Sequence, residues 1–376
     1  MKKMLVFALF LLLLFGFRAF AEGDQDTVFT SGDYQYRILE DGTAEIMEYT
    51  GSAETLEIHS ELDGLTVTSI GDYAFHFCDC LTSVTVPDSV TSISEYAFAW
   101  CSSLTSVILP DSVTSIGDSA FSNCWSLTAV MIPDSVTNIG GNPFAFCDEL
   151  TEIHVSPEHL YLATIDGVLF SKPDRRLICY PCAFEASEYA IPQGIQIISD
   201  YAFCDCESLT SVTLPNSVTT IGGGVFALCT NLTAVTIPDS VTSIGERPFY
   251  DCENLTFVTL SDSVTSIGDE TFYNCSSLTA VTIPDSVTSI GWGAFCGCSS
   301  LTSVTIPDSV TSIGWGAFCG CRSLTSVTIP DSVTSIGDDT FSYCADTLTL
   351  TVGRDSYAEQ YCNENGLNYT FPDSLD

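Results

Sequence analysis

From residue 67 onward, apolar and polar positions recur in one fixed order. Residues 301–323 read LTSVTIPDSVTSIGWGAFCGCRS, with apolar side chains at 301, 304 and 306, then 310 and 313, then 317, 318 and 321. The first three follow an L-x-x-L-x-L spacing with β-branched neighbours, which predicts a short strand with 302, 303 and 305 facing outward. Pro307 lacks an N–H and marks where strand pairing stops. Asp308 and Ser309 turn the chain, Val310 and Ile313 point back inward, and Gly314 permits a tight backbone. Ala317, Phe318 and Cys321 fit one face of a single short helical turn.

Phe-x-x-Cys sets the register of this unit along the chain. The cysteines fall at 78, 101, 124 and 147, then at 206, 229, 252, 275, 298, 321 and 344. Every step is 23 residues except 147 to 206, which is 59, two periods plus 13. Residues 278–300 repeat 301–323 except for Ala280 in place of Ser303 and Ser299 in place of Arg322. One copy cannot bury its own apolar face, so copies must stack, and the pattern predicts a solenoid of about twelve layers at strand-like spacing.

Three stretches depart from the period. Residues 22–65 carry a β-hairpin signal: Tyr34 to Leu39 alternates, Asp41-Gly42 turns the chain, and Ala44 to Tyr49 alternates again. Its expected role is to cover the open end of the stack ahead of repeats over 66–152. Residues 153–190 interrupt the array, with a strand-pair candidate around Asp166-Gly167 and an apolar run from Leu177, before repeats resume over 191–347. Residues 348–376 end it with a strand and then a capping box from Ser356 to Glu359. Tyr357, Ala358, Tyr361 and Cys362 share one helical face, Gly366 is the stop, and Tyr369 to Phe371 adds a short strand.

Ahead of all this, Lys2 and Lys3, the apolar run 4–17 and Ala19-Phe20-Ala21 predict a secretory signal peptide over residues 1–21. The formal net charge is −38, and losing Lys2, Lys3 and Arg18 with the leader makes it more negative. That excess argues against nucleic acid and anionic membrane as partners. The chain is not an acidic disordered one, because 45% of residues are apolar and fall at fixed positions.

The frame L-T-x-V-T-I-P-x-S-V-T-x-I-G-x-x-A-F-x-x-C, from about Tyr34 to Phe371, resembles the BspA-like (Treponema pallidum-type) leucine-rich repeats. The D-G-V-L-F of the interruption and the S-Y-A-E-Q-Y near the end resemble segments of the same family. The resemblance implies an α/β repeat solenoid, a right-handed superhelix of 23-residue repeats, strand-rich with short helical turns, a hairpin cap and a helix cap. It also implies an exported or cell-surface protein, with adhesion to host matrix proteins or other cells among the family's roles. Where better-known leucine-rich repeats carry asparagine after the strand, Ser309 and its equivalents stand here, so an asparagine ladder is not expected.

Candidate chemistry is sparse. Eleven of the 18 cysteines sit at the core position, where a small thiol packs as an apolar group. Cys296 with Cys319, or Cys179 with Cys182, are the pairs export would allow to oxidise, with free thiols in an anaerobe as the equal alternative. Aspartates recur in the turn after the strand (Asp88, Asp111, Asp134, Asp239, Asp262, Asp285, Asp308, Asp331), after proline in all but Asp262, which follows Ser261, as turn formers, with Ca²⁺ binding as the alternative. The four histidines, His59, His76, His154 and His159, show no ligand spacing, and no nucleophile elbow or phosphate loop is present. No catalytic residue, metal or cofactor is expected.

The departures from monotony carry the functional expectation. Ile108, Met131 and His154 replace threonine in one column of three successive layers, beside Glu152, and Phe257 breaks the neighbouring column. Trp292 and Trp315 replace the usual acid on the turn and should stack. Ile108, Met131, Glu152, His154 and Phe257 are expected to contact an extracellular protein or glycan through a hydroxyl-rich strand face, without catalysis, drift in a tolerant array being the alternative; the tryptophan pair is either a second patch or a product of duplication. The alternative is a structural spacer array with no specific ligand. No membrane insertion is expected after leader cleavage.

Overall fold

Stacking turns the 23-residue period into vertical columns. The computed structural model describes residues 27–372, so the leader expected over 1–21 lies outside the described residues. The strand of the unit, Ser303–Thr305, pairs in parallel with Ala280–Thr282 on one side and Ser326–Ile329 on the other, each residue opposite the one 23 positions away. A second, two-residue strand, Ser312–Ile313, builds a second parallel ladder with Ser289–Ile290 and Ser335–Ile336. The solenoid runs for about 14 turns, and the one helix among the described residues stands at its C-terminal end.

The third side differs from the expected short helical turns. It is a run of hydrogen-bonded turns in which Gly316 and Gly320 are left-handed, at φ 59° and 73°. A left-handed residue interrupts helical hydrogen bonding. Instead the amides reach the next layer: Gly293, Phe295 and Gly297 donate to the carbonyls of Trp315, Ala317 and Cys319 at 2.9, 2.7 and 2.7 Å. The same conformation is imposed on Tyr73 and Phe77, and on Tyr201 and Asp205, which have side chains. The inter-layer bonds hold them there.

The core is a set of ladders, each residue type having its own. Phenylalanine rings stack at 5.2 Å from Phe295 to Phe318 and 5.6 Å from Phe318 to Phe341, in parallel-offset pairs. Cys321 is fully buried beneath them and its thiol donates to the Phe295 carbonyl of the preceding layer at 3.2 Å; Cys298 does the same to Phe272 at 3.1 Å. Cysteine therefore supplies a weak donor as well as apolar bulk. A serine ladder occupies the place where asparagine was not expected: Ser309 Oγ donates to Val287 O at 2.6 Å and Ser332 Oγ to Val310 O at 2.8 Å. Gly314 is required by close approach, since a Cβ there would lie 2.5 Å from the Gly291 carbonyl carbon.

Both ends continue these columns with other residues. At the N-terminus the hairpin Tyr34–Ile38 and Ala44–Tyr49 joins the second ladder through Leu65–Ile70, and Tyr49 stacks on Phe75 at 5.3 Å. The first ladder begins at Thr55–Glu57, parallel to Ser83–Thr85, inside the stretch expected to be cap alone. At the C-terminus the helix Tyr357–Asn365 is capped by Ser356, whose side chain accepts from Glu359 N, and stops at Gly366, φ 66°. Ala358, Tyr361 and Cys362 are buried, but Tyr357 is exposed, so the expected apolar face is one residue narrower. Asn368–Thr370 pairs with Thr349–Val352.

The interruption is one enlarged layer. Tyr180 takes the place of phenylalanine, packing tilted on Phe203 at 5.2 Å and donating its amide to Ala202 O, so the extra residues form the hairpin Leu162–Ile165 and Val168–Ser171. Its turn, Asp166-Gly167, has both residues left-handed, the two-residue hairpin geometry. The hairpin lies between two cores. Val168, Phe170 and Leu177 belong to the C-terminal cluster, while Leu169, Ile178 and Cys179 belong to the N-terminal one. A strand buried on both faces reads as an unbroken apolar run, which is what V-L-F and L-I-C are.

Arg176 joins the two halves. The second ladder breaks between Asn138–Ile139 and the hairpin, and the Arg176 guanidinium donates to Ile139 O at 2.9 Å, Gly140 O at 2.8 Å, Ser199 Oγ at 3.3 Å and Asp174 Oδ2 at 2.9 Å. On the turn side Asn142 Nδ2 reaches Tyr201 O directly at 2.8 Å.

Candidate functional site: the strand face

In every layer the strand sends its middle residue inward and its flanking residues outward. Val304 is buried while Thr302, Ser303 and Thr305 are exposed. The face is less free to donate than its composition implies. Thr105 Oγ1 donates to Thr82 O at 2.9 Å, Thr233 to Thr210 O at 3.0 Å and Thr302 to Thr279 O at 3.3 Å, so one hydroxyl column is committed to the layer below. A committed hydroxyl still offers lone pairs and a methyl group.

The residues singled out in the sequence fall into three places. Ile108 and Met131 are 58% and 69% exposed. They stand one layer apart, with Thr85 in register before Ile108 and His154 in register after Met131. His154 Nε2 lies 2.8 Å from Glu152 Oε2, so Ile108, Met131, Glu152 and His154 form one patch. Phe257 is also exposed but stands in the column of Ala234, layers away on the far side of the interruption. Trp292 and Trp315 stack at 5.9 Å on the turn side, as expected, apart from the strand face. Asp269 Oδ1 accepts the Trp292 amide at 2.8 Å, as Asp200 accepts that of Gly223 and Asp118 that of Gly141. Acids after Ile-Gly are thus inter-layer acceptors.

The structure adds residues to the patch. His159, in the loop after Glu152–Val155, is buried and acts as a pin: Nε2 bonds Pro133 O at 3.2 Å while Nδ1 accepts the amides of Tyr161 and Leu162. It fixes Leu160, 78% exposed, and Tyr161 beside the end of the Met131 strand. Lys172 Nζ donates to His159 O and holds the same segment. A chain excursion brings these side chains to the patch, so period-based reading misses them. The run L-Y-L inside a polar stretch was their only sequence signal.

Little in the molecule suggests bond-making chemistry. Among the described residues no group of three or more His, Cys, Asp or Glu is placed to hold a metal ion, and no histidine is bonded to a hydroxyl or thiol. His76 is packed between Tyr73 and Phe77, and burial lowers its pKa. All 18 cysteines are free thiols. Burial holds Cys275 and Cys321 well above the usual thiol range and pushes Cys296 up to about 12. Such thiols are poor nucleophiles and ligands at neutral pH.

A parallel-stacked solenoid with a short strand per layer and a departure from monotony on its outer strand face defines a leucine-rich repeat scaffold. The family model "BspA type leucine rich repeat region" matches residues 68–181, 175–299 and 265–368, and the chain belongs to that family. No curated protein matches it. Among solved structures it is similar to a leucine-rich repeat protein from Eubacterium ventriosum, at 27% identity and TM-score 0.69, covering 84% of this chain and 93% of that one. It also shares its fold with the pneumococcal vaccine antigen PcpA, at 19% identity and TM-score 0.55, over 93% of this chain and all of that one. No helix among the described residues is long and apolar enough to cross a membrane.

Proposed function

We propose that this protein is an exported, cell-surface or secreted binding scaffold that holds an extracellular protein or glycan on its strand face, without catalysis. The single observation that carries the reading is the exposure of Ile108 and Met131, at 58% and 69%, in a column that is threonine in most other layers. Exposed apolar side chains clustered on a repeat face are contact residues. The n-region, apolar run and A-x-A of residues 1–21 support export, and membership of the BspA type family supports a binding role over an enzymatic one.

Adhesion to a host matrix protein is the finer form of this reading. An array of matrix proteins and glycans tests it with wild type, Met131→Asp, Phe257→Asp and the double variant. Because Phe257 lies apart from Met131, loss in Met131→Asp alone assigns the patch, and unaltered binding in all three variants removes the assignment. Light scattering that shows self-association with no saturable ligand favours a spacer array instead.

A further inference from the structure

The apolar stripe does not stand alone on its face. Three residues beyond each of its positions, after the proline that ends the strand, comes an exposed acid: Asp88 after Thr85, Asp111 after Ile108 and Asp134 after Met131. In the enlarged layer the 23-residue step from Asp134 lands on Pro157, and exposed Glu158 follows it, two residues before Leu160. Two parallel stripes result, one led by Ile108 and Met131, with His154 next in register and Leu160 and Tyr161 exposed on the segment that follows, and one of carboxylates. The C-terminal layers provide a contrast inside the same molecule. There Asp285, Asp308 and Asp331 form the same acidic row, but Thr282, Thr305 and Thr328 stand beside it.

A partner must satisfy both stripes. The chain carries 48 acidic residues against 10 basic ones, so anionic partners are repelled at long range and cationic ones drawn in. An uncharged apolar partner leaves the carboxylate row unused, and a purely cationic one leaves Met131 and Ile108 in water. The region from Thr85 to Leu160 covers about four layers, on the order of 15–20 Å at strand spacing, the length of a helix of about 10–13 residues.

Building on the strand-face reading, we propose that this double stripe binds a free cationic amphipathic peptide, its apolar side against Ile108, Met131 and Leu160 and its Lys or Arg row against Asp88, Asp111, Asp134 and Glu158. Steering by the carboxylates brings the peptide in, and the apolar stripe selects amphipathic over merely basic chains.

Fluorescence anisotropy with a labelled Lys/Leu amphipathic peptide of about 15 residues, and its Glu/Leu counterpart, at about 50 and about 300 mM salt, tests this. The Lys/Leu peptide is expected to bind one to one and the Glu/Leu peptide not at all. Ile108→Ser with Met131→Ser should weaken binding about tenfold or more. Asp88→Asn with Asp111→Asn and Asp134→Asn should weaken it about three- to tenfold and flatten the salt dependence. The matching triple variant at Asp285, Asp308 and Asp331 should bind as wild type. Equal losses in the two triple variants, several peptides per chain, or wild-type affinity in the serine variant would each reduce the effect to unselective charge attraction and overturn the proposal. All these positions are exposed, and circular dichroism checks that each variant is folded. If the Lys/Leu peptide does not bind while Met131→Asp still abolishes a partner on the array, the strand-face reading stands and this inference falls.

Discussion

Replacing Arg176 with methionine should uncouple the two halves of the solenoid. The guanidinium spans the first of the two breaks in the second ladder, donating to Ile139 O, Gly140 O and Ser199 Oγ, and its side chain is only 18% exposed. Its bond to Asp174 matters less, since that carboxylate is 42% exposed, and an exposed ion pair contributes under about 1 kcal/mol. A hydrogen bond from a charged group contributes about 1.5–3 kcal/mol. Losing those to two partly buried carbonyls therefore costs about 3–5 kcal/mol. Methionine keeps much of the apolar stem, so the loss is chiefly polar. In a stacked array stability sums over layers and nearest-neighbour interfaces, so the damage falls on one interface.

The tryptophans make this measurable, because Trp100 and Trp125 precede the break and Trp292 and Trp315 follow it. Replacing either pair with phenylalanine leaves a reporter of the other half. In urea the two reporters should separate in the Arg176→Met background by about 1–2 M more than with Arg176 present, from a slope of about 2–3 kcal/mol per M. Arg176→Lys keeps the charge but not the fork and should fall between. An unchanged separation in Arg176→Met would refute the idea that this side chain couples the halves.

Four further outcomes are expected. Burial raises the Asp251 pKa from 3.8 to about 6, although Asn274 hydrogen-bonds its carboxyl. A raised acid costs nothing below its unfolded pKa, and the cost grows between about pH 4 and 6, reaching about 2–3 kcal/mol above that window. Asp251→Asn should thus match wild type near pH 4 and melt higher at pH 7, and an equal difference at both values would contradict the assignment. Phe318→Ala, which removes a fully buried ring stacked on both sides, should cost about 3–5 kcal/mol in urea unfolding. Cys321→Ala should cost nearer 1 kcal/mol, because Phe295 O keeps its bond from the Cys298 amide at 3.2 Å. Mass spectrometry after brief alkylation should find exposed Cys80 labelled first, with Cys124, Cys275 and Cys321 labelled only after unfolding; early labelling of those three would mean the layers open locally.

Much of this protein was legible in one dimension. A period of 23 residues with phenylalanine, cysteine and glycine at set places leaves stacking as the only way to bury each face. Inward Val304, Ile313 and Phe318, the hairpin, the capped helix and the column of Ile108, Met131 and His154 all follow from it. Tertiary structure alone decided the features that depend on contact between layers. The third side abandoned a helical turn because amides such as that of Phe295 bond the next layer, which local spacing cannot express. The interruption became a two-faced layer because two cores had to be closed, and Arg176, His159 and Asn142 took roles across it that no period announces. Leu160 joined the strand-face patch, while Phe257 and the tryptophan pair remained elsewhere, since distance along a solenoid depends on which layers intervene.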